Sequence, residues 1–314
     1  MLFRSAASVT INSGTATTSV GAVDVGANAL TIRADNMTFT GGNDSITGAG
    51  SVTLDVFTAA RVINLENGTT GLDISAASLL VFDAALGSLT IGSTNAGDLT
   101  VGGATTFNGN TTLITGDDFD NTDAITATQL AVQAADSVTV TSNITASTSL
   151  SLHSGTDGSG NTTFNNIVID SPSISLRAGN GAGSTAFVDA GTNTPTFQNG
   201  AVTNPTSFSF RQDAAVFESQ LPGTLQWGAG DATGIAITVQ SDGGNVDLSL
   251  GADPTQLDNS ALTLITAGAN RSRILSDLAL ASLSVTGNAT VSANVTTPGD
   301  RKSTRLNSSH LVIS

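Results

Sequence analysis

Short triplets in which two apolar residues flank a polar one (in one case Val168) recur along the chain, and most are followed within a few residues by Gly, Asn or Asp. Such alternation places both aliphatic side chains on one face of a strand and the polar side chain on the other. The spacings scatter around ten and around twenty residues, which predicts many short strands joined by turns. The triplets are Leu30-Thr31-Ile32, Val52-Thr53-Leu54, Leu72-Asp73-Ile74, Leu89-Thr90-Ile91, Leu99-Thr100-Val101, Val138-Thr139-Val140, Leu150-Ser151-Leu152, Ile167-Val168-Ile169, Ile174-Ser175-Leu176, Val246-Asp247-Leu248, Leu262-Thr263-Leu264 and Leu283-Ser284-Val285.

Strands at these spacings fit either a β-sandwich or a β-solenoid. The turns vary in length and lack a regular hairpin signature such as Asn-Gly, and small residues dominate, as a narrow stacked core requires. Both features favour the solenoid. Coils of about twenty residues, stacked every ~4.8 Å, predict roughly fifteen coils.

Two segments depart from the pattern. The stretch SAASLLVFDAALG (75–87) has a Ser N-cap candidate, a Leu/Ala-rich run and a terminal Gly, which predicts a short helical excursion. The region 195–227 contains three of the six prolines and four of the twelve phenylalanines, which indicates an insertion or a change of coil geometry. We therefore expect one repeat region over 1–299, with a pattern break near 195–227.

Composition narrows the classes of function. Residues 1–299 contain seven arginines, no lysine and 24 acidic residues, a net charge of −17. This balance argues against nucleic acid and against an anionic membrane surface, because no basic patch is available to neutralise phosphates. The chain has no cysteine, which excludes a disulfide framework. Its most apolar stretch, 76–86, is too short to span a membrane and contains Asp83.

Two segments carry a resemblance to a known family. They are LTIRADNMTFTGGNDSITGAGSVTLDV, continued by GLDISAASLLVFDAALGSLTIGS, and LASLSVTGNATVSANVTTPG. They resemble the repeats of filamentous-haemagglutinin-like exoproteins, the two-partner-secretion adhesins of bacterial surfaces. The likeness covers roughly 30–91 and 278–299 and is compositional between them. It implies an all-β fold, a right-handed parallel β-helix (β-solenoid) with irregular coils.

The same resemblance implies a location and partners. The protein is expected to be secreted or held at the bacterial cell surface, and to need an outer-membrane secretion partner. Host or neighbouring-cell receptors or glycans would be bound through the full-length protein. The chain lacks the N-terminal secretion domain and the C-terminal anchoring or effector domain of full-length members, so we expect it to be a fragment.

The C-terminal segment DRKSTRLNSSHLVIS (300–314) differs from the rest of the chain. It holds Lys302, the one lysine of the sequence, together with two arginines. Its residues resemble the translation of a standard short-read sequencing adapter. We therefore expect 300–314 to be a non-native tail. The alternative is a basic tail that binds an acidic partner.

Calcium is the one cofactor for which the sequence offers candidate ligands. The segment GDDFDNTD contains Asp117, Asp118, Asp120 and Asp123, whose carboxylates are hard oxygen ligands of the kind Ca²⁺ prefers. The segment lacks the spacing and terminal Glu of an EF-hand loop, so a solvated Asp-rich turn is the competing interpretation. The turn GGNDSITGAG (41–50) is similar to a calcium-binding nonapeptide, but Asp44 comes early and no tandem copy follows.

The sequence leaves two hypotheses about function, one of a structural protein and one of an enzyme. The first is a structural stalk or adhesion segment with no catalytic residue in this piece. The alternative is a carbohydrate-active β-helix enzyme, a polysaccharide lyase or hydrolase, which needs carboxylates in a groove and a cation to stabilise developing charge. The arginines are scattered, and a Ser-His-Asp site has only His153 available before residue 300. A groove lined by three or more carboxylates would favour the enzyme.

Overall fold

The structure is a computed structural model. It describes residues 3–4, 8–66, 68, 70–158, 160–165, 167–179, 187–189, 196–198, 207–212, 216–218, 226–227, 235–241, 245–248, 257–266 and 271–297. The chain divides into two units, Met1–Leu152 and His153–Ser314. The expected non-native tail, 300–314, lies outside the described residues, as does much of the expected pattern break at 195–227.

In the described residues the regular secondary structure is β-strand apart from one short helix, α1. The strands up to the unit boundary are β1 Phe3–Arg4, β2 Val9–Val20, β3 Val23–Asp24, β4 Ala29–Phe39, β5 Ile46–Thr47, β6 Ser51–Asp55, β7 Ile63–Leu65, β8 Leu72–Ile74, β9 Ser88–Gly92, β10 Leu99–Val101, β11 Thr105–Thr115, β12 Phe119–Asn121, β13 Ile125–Ala134, β14 Val138–Val140 and β15 Ile144–Ser154, with α1 at Ala76–Leu79. Those beyond it are β16 Thr162–Phe164, β17 Val168–Asp170, β18 Ser173–Ala178, β19 Phe187–Asp189, β20 Thr196–Gln198, β21 Ser207–Gln212, β22 Val216–Glu218, β23 Gln226–Trp227, β24 Ala236–Ser241, β25 Asn245–Leu248, β26 Ala261–Thr266, β27 Arg271–Ile274, β28 Leu278–Ala279, β29 Ser282–Thr286, β30 Asn288–Val291 and β31 Val295–Thr296.

In the first unit, successive coils add one strand each to the same parallel sheets. The longest sheet runs β2-β4-β6-β9-β11-β13-β15. A second runs β8-β7-β10-β12-β14, and a third, shorter sheet runs β1-β3-β5. Partners are parallel and in register, as where Leu30 of β4 lies between Val9 and Val52. This arrangement is a parallel β-solenoid.

The second unit repeats the arrangement. Its longest sheet runs β18-β21-β24-β26-β29, and a second runs β22-β25-β27-β30. Shorter pairings are β16-β19, β17-β20-β23 and β28-β31. The structure thus confirms the predicted all-β, parallel β-solenoid fold, and the described residues form about 10 turns of it.

Alternation along each strand builds the core. In β6 the side chains of Val52 and Leu54 are fully buried, whereas Ser51, Thr53 and Asp55 are partly exposed. Because the register repeats from coil to coil, Leu54 stacks between Ile32 and Ile91. Each coil therefore buries its aliphatic side chains against the same positions of its neighbours.

Coils of about twenty residues, as the sequence predicted, alternate with coils that are longer. From Val9 the register advances by 21 residues to Leu30, by 22 to Val52, by 37 to Leu89 and by 22 to Thr111. In the second unit it advances by 34 residues from Ser173 to Ser207, then by 29, 25 and 21 to Ala236, Ala261 and Ser282. In the first unit the longest step contains the excursion between Val52 and Leu89, which the triplet spacing does not reveal. The expected number of fifteen coils was therefore too high.

The helical excursion forms but is shorter than predicted. Ser75 is the N-cap, and its Oγ accepts a hydrogen bond of 3.1 Å from the Ser78 N–H. The helix α1 ends at Leu79, because the next residues pair with β5 instead. Ile46 N–H donates to the Val81 carbonyl, and Asp83 N–H donates to the Ile46 carbonyl. A long-range strand pairing has overridden the local helical preference of the segment.

Candidate functional site

A cluster of carboxylates lies on stacked turns of the first unit. Asp98 directly precedes β10, and Asp117 and Asp118 precede β12 on the next coil. One carboxylate oxygen from each of the three residues lies within 4.8 Å of the others. We call Asp98, Asp117 and Asp118 the acidic turn cluster. Asp98 and Asp118 are half-buried, and Asp117 is exposed.

The register of the strands explains why these residues meet. Leu99 pairs with Phe119, and Phe119 pairs with Val138. The residue before each strand therefore stacks on its equivalent, Asp98 below Asp118. Glycine allows the turns to approach closely, because a Cβ on Gly116 would lie only 2.3 Å from the Thr94 carbonyl oxygen.

Two of the three carboxylates hold the neighbouring coil in place. Asp118 N–H donates to Asp98 Oδ1 over 3.4 Å, and Ser137 N–H donates to Asp118 Oδ1 over 2.8 Å. The second unit uses the same device, where Asn294 N–H donates to Asp277 Oδ1 over 2.7 Å. A carboxylate before a strand therefore satisfies a backbone donor one coil further on.

The cluster is electrostatically unfavourable. Loss of hydration, followed by the negative charges of Asp117 and Asp118, raises the pKa of Asp98 despite a hydrogen bond from Asp118. Loss of hydration and the charges of Asp118 and Asp136 likewise raise the pKa of Asp117. The pKa of Asp120 is also raised, chiefly by loss of hydration. Like charges stacked one coil apart repel each other, and a proton or a cation would relieve that repulsion.

The four calcium candidates from the sequence do not form one group. Asp117 and Asp118 come together, and Asp120 lies on β12 between Thr100 and Thr139 of the adjoining coils. Asp123 accepts the Ala124 N–H over 2.7 Å and is not among the three clustered carboxylates. The sequence interpretation missed Asp98. The recurrence of Gly-Asp in AGDLT and TGDDF, about one coil apart, is the signal that would have found it.

Carboxylate oxygens that lie this close together are suitable ligands for a hard divalent cation. Ca²⁺ takes six to eight oxygen ligands, so backbone carbonyls or water would have to supply the remainder. Two of the three carboxylates already accept backbone N–H groups. The calcium site therefore stays a prediction, and the solvated Asp-rich turn stays its alternative.

A further carboxylate, Asp35, is buried within β4 and is only 4 % exposed. It accepts hydrogen bonds from the N–H groups of Phe57 and Thr58 and from Thr58 Oγ1. Arg61 Nε lies 3.9 Å from Asp35 Oδ1. Burial acts to raise the pKa of Asp35, but the Thr58 hydrogen bonds and the Arg61 charge outweigh it, so the pKa is lowered. This carboxylate fixes a turn between coils.

His153 is placed away from any Ser-His-Asp arrangement in the described residues. Its Nε2 lies 3.1 Å from the Gly179 carbonyl oxygen, to which Arg177 Nε also donates over 2.9 Å. Because a carbonyl oxygen can only accept, the proton of the neutral ring sits on Nε2. Burial, and to a lesser extent Arg177 and Arg211, lower the pKa of His153.

A small crevice lies beside the helical excursion. Leu79, Phe82, Leu86 and Phe107 line it together with a bulge in β11 near Gly109. Asp83 is the one carboxylate residue in its lining. The acidic turn cluster does not line this crevice. The three clustered carboxylates and the crevice are therefore separate features, and the crevice is not a groove lined by three carboxylates.

No family model matches the chain, and neither the curated proteins nor the solved structures contain a significant match. In the described residues, no helix is both long and apolar enough to cross a membrane. The fold and the geometry of its residues are thus what bears on function.

Proposed function

We propose that the chain is a structural segment of a large secreted bacterial surface exoprotein, an adhesin stalk of the filamentous-haemagglutinin-like kind. The observation that carries the proposal is the in-register stacking of coils, with aliphatic ladders inside and small polar residues outside. Such stacking extends a chain by repetition, since each coil needs only its neighbours for stability. A segment of this kind holds a binding region away from the cell.

The charged residues described above support this role. The carboxylates of Asp98, Asp118 and Asp277 each accept a backbone N–H from the next coil. Arg61 bonds to the carbonyls of Asp35 and Gly71. These are contacts that fix turns, whereas a glycosidase or lyase would aim its carboxylates and cation at a bound sugar.

The proposal is tested by labelling intact cells that carry the complete gene and its outer-membrane partner. Antibodies raised against residues 1–152 should label unpermeabilised cells or the culture medium, and deletion of the partner should abolish the label. Labelling that requires permeabilised cells would overturn the proposal. The enzyme alternative predicts instead that the purified chain depolymerises an acidic polysaccharide and that Asp118→Asn abolishes the activity.

A further inference from the structure

Backbone carbonyl oxygens lie around one point of the crevice beside the helical excursion. That point is the place where a Cβ on Gly109 would stand. It is 3.3 Å from the carbonyl oxygen of Ala84 and 3.8 Å from those of Asp83 and Leu86. We call these three oxygens the carbonyl cradle. Because Gly109 has no side chain, the cradle lies directly against the bulge of β11.

A buried hydroxyl lines the same crevice and is an independent sign of a ligand. Thr111 is only 3 % exposed, and its Oγ1 has no hydrogen-bond partner among the described residues. Thr111 follows Gly109 by two residues on β11, so the hydroxyl and the cradle meet at one stretch of the strand. A buried polar atom without a partner destabilises the fold, and a ligand that bonds to it removes that cost.

The charge at the crevice selects a cation. Its lining contains the carboxylate of Asp83 and neither lysine, arginine nor histidine, and the whole chain has a net charge of −15. Carbonyl oxygens can only accept, so an anion would meet no donor in the cradle. The chain's negative field also concentrates cations near its surface.

The size and chemistry of the crevice narrow the choice of cation. It has room for a body about the size of a water molecule, which admits a bare metal ion and excludes an organic ligand. Calcium sites gather several carboxylates, whereas this lining has one among neutral oxygens. Backbone carbonyls that replace a hydration shell are the ligands of alkali-metal ions.

The two walls of the crevice are already fixed to each other. Asn108 Nδ2 donates to the Phe82 carbonyl over 3.3 Å, which ties the bulge of β11 to the excursion. Phe82 is also held by its bridge to Ile46. The oxygens therefore need little rearrangement to receive an ion, and a site prepared in this way binds at a lower cost in ordering.

We propose that the carbonyl cradle and Thr111 Oγ1 bind one alkali-metal cation, Na⁺ or K⁺, with the Asp83 carboxylate supplying the nearest negative charge. The ion would join the excursion to β11 on the following coil and so stabilise the stacking of the two. The leucine and phenylalanine side chains of the lining limit the access of water, which strengthens the attraction between ion and oxygens. This inference does not depend on the proposed adhesin function.

Thermal unfolding of the chain at low protein concentration tests the proposal. The melting temperature is compared in NaCl, in KCl and in tetramethylammonium chloride at equal ionic strength, because tetramethylammonium is too large for the crevice. We expect NaCl or KCl to raise it by about 2 °C or more, with saturation as the concentration rises, since the ion binds the folded chain. The more effective salt identifies the ion. Equal melting temperatures in all three salts would overturn the proposal.

Two variants and a control locate the effect. Thr111→Val should remove the difference between the salts, although it stabilises the chain in tetramethylammonium chloride, where Oγ1 has no partner. Gly109→Ala should remove the difference too, since its Cβ would occupy the point inside the cradle. Thr112→Val is the matched control, because Thr112 is the partly exposed neighbour of Thr111, and it should keep the full difference. A salt difference that survives in Thr111→Val, or that is lost in Thr112→Val as well, would contradict an ion at this crevice.

Discussion

Buried polar side chains are the points at which single residues decide the stability of this solenoid. A hydroxyl or carboxylate between stacked coils is stabilising when its partners are present and destabilising when they are absent. Asp35 has three donors, whereas Thr111 Oγ1 and Ser272 Oγ are buried without a hydrogen-bond partner among the described residues. The two cases predict substitutions of opposite effect.

Asp35→Asn should lower the free energy of unfolding by roughly 2–3 kcal/mol, because an amide cannot accept all three hydrogen bonds of the carboxylate. Urea denaturation measures the change. Asp44→Asn is the control, since Asp44 is exposed and its positive φ of 52° suits Asn. Equal stability of the two variants would show that Asp35 does not hold the turn.

Thr111→Val should raise the free energy of unfolding by about 1 kcal/mol, since it replaces an unpaired buried hydroxyl by a methyl group of similar volume. Thr111 stacks between Leu89 and Leu130, so its surroundings are apolar. Ser272→Ala should act in the same direction, because Ser272 lies between Val246 and Ala289. The partly exposed neighbour Thr112 is the control, and Thr112→Val should change little. A loss of stability in Thr111→Val would contradict this account of the core.

At the scale of elements, stacked turns bring distant residues together and create pKa shifts that no single coil would have. The acidic turn cluster exists only because β10 and β12 are in register. A raised pKa means that the folded chain binds protons more tightly than the unfolded chain, so these groups weaken the fold increasingly as the pH rises through the folded pKa. Asp35 has a lowered pKa, so its ionised carboxylate stabilises the fold at neutral pH. This stabilisation is lost as the pH falls through the folded pKa.

Asp117→Asn should therefore raise the melting temperature near pH 7, because it removes one charge from the repelling cluster and its side chain accepts no backbone N–H described here. The gain should shrink as the pH falls through the raised pKa of Asp117, where the wild-type carboxylate takes up its proton. Calorimetry at several pH values measures this, with Asp44→Asn as the variant of equal charge. A gain that does not depend on pH would argue against repulsion in the cluster.

The sequence predicted the strands better than the coils. The triplet Leu30-Thr31-Ile32 lies in β4, and Leu262-Thr263-Leu264 lies in β26, because alternation reports directly which face of a strand is buried. Coil length depends instead on turns, such as the excursion between Val52 and Leu89, whose course is fixed by contacts with other coils. Asp117 and Asp118 were two of the four carboxylates predicted from the segment GDDFDNTD, but Asp98 joins them only through the register of the sheet.

At the scale of the whole molecule, a solenoid leaves strand edges that can pair with other chains. Among the described strands, β2 is the first strand of the longest sheet, and β4 is its neighbour there. The sequence of β2, VTINSGTATTSV, contains neither a charged residue nor a proline, the usual protections of an edge. A polypeptide of residues 1–314 is therefore expected to aggregate at high concentration.

Ile11→Lys should reduce this aggregation, because Ile11 is 39 % exposed on β2 and a lysine there opposes edge pairing. Light scattering at matched concentrations measures the effect. Leu275→Lys is the control, since it adds the same charge at an exposed apolar residue outside the strands. A clean monomer of the parent chain at high concentration would contradict the expected aggregation. If both lysine variants reduce aggregation equally, the change comes from net charge and not from protection of the edge strand.

Long-read sequencing of the source locus across codons 1 and 300 tests the central claim most directly. The account predicts that the reading frame continues beyond codon 299 with further coils in place of DRKSTRLNSSHLVIS. It also predicts a secretion domain upstream and a neighbouring gene for an outer-membrane partner. A locus that encodes the tail and stops there, with neither the domain nor the partner gene, would contradict the assignment to a large surface exoprotein.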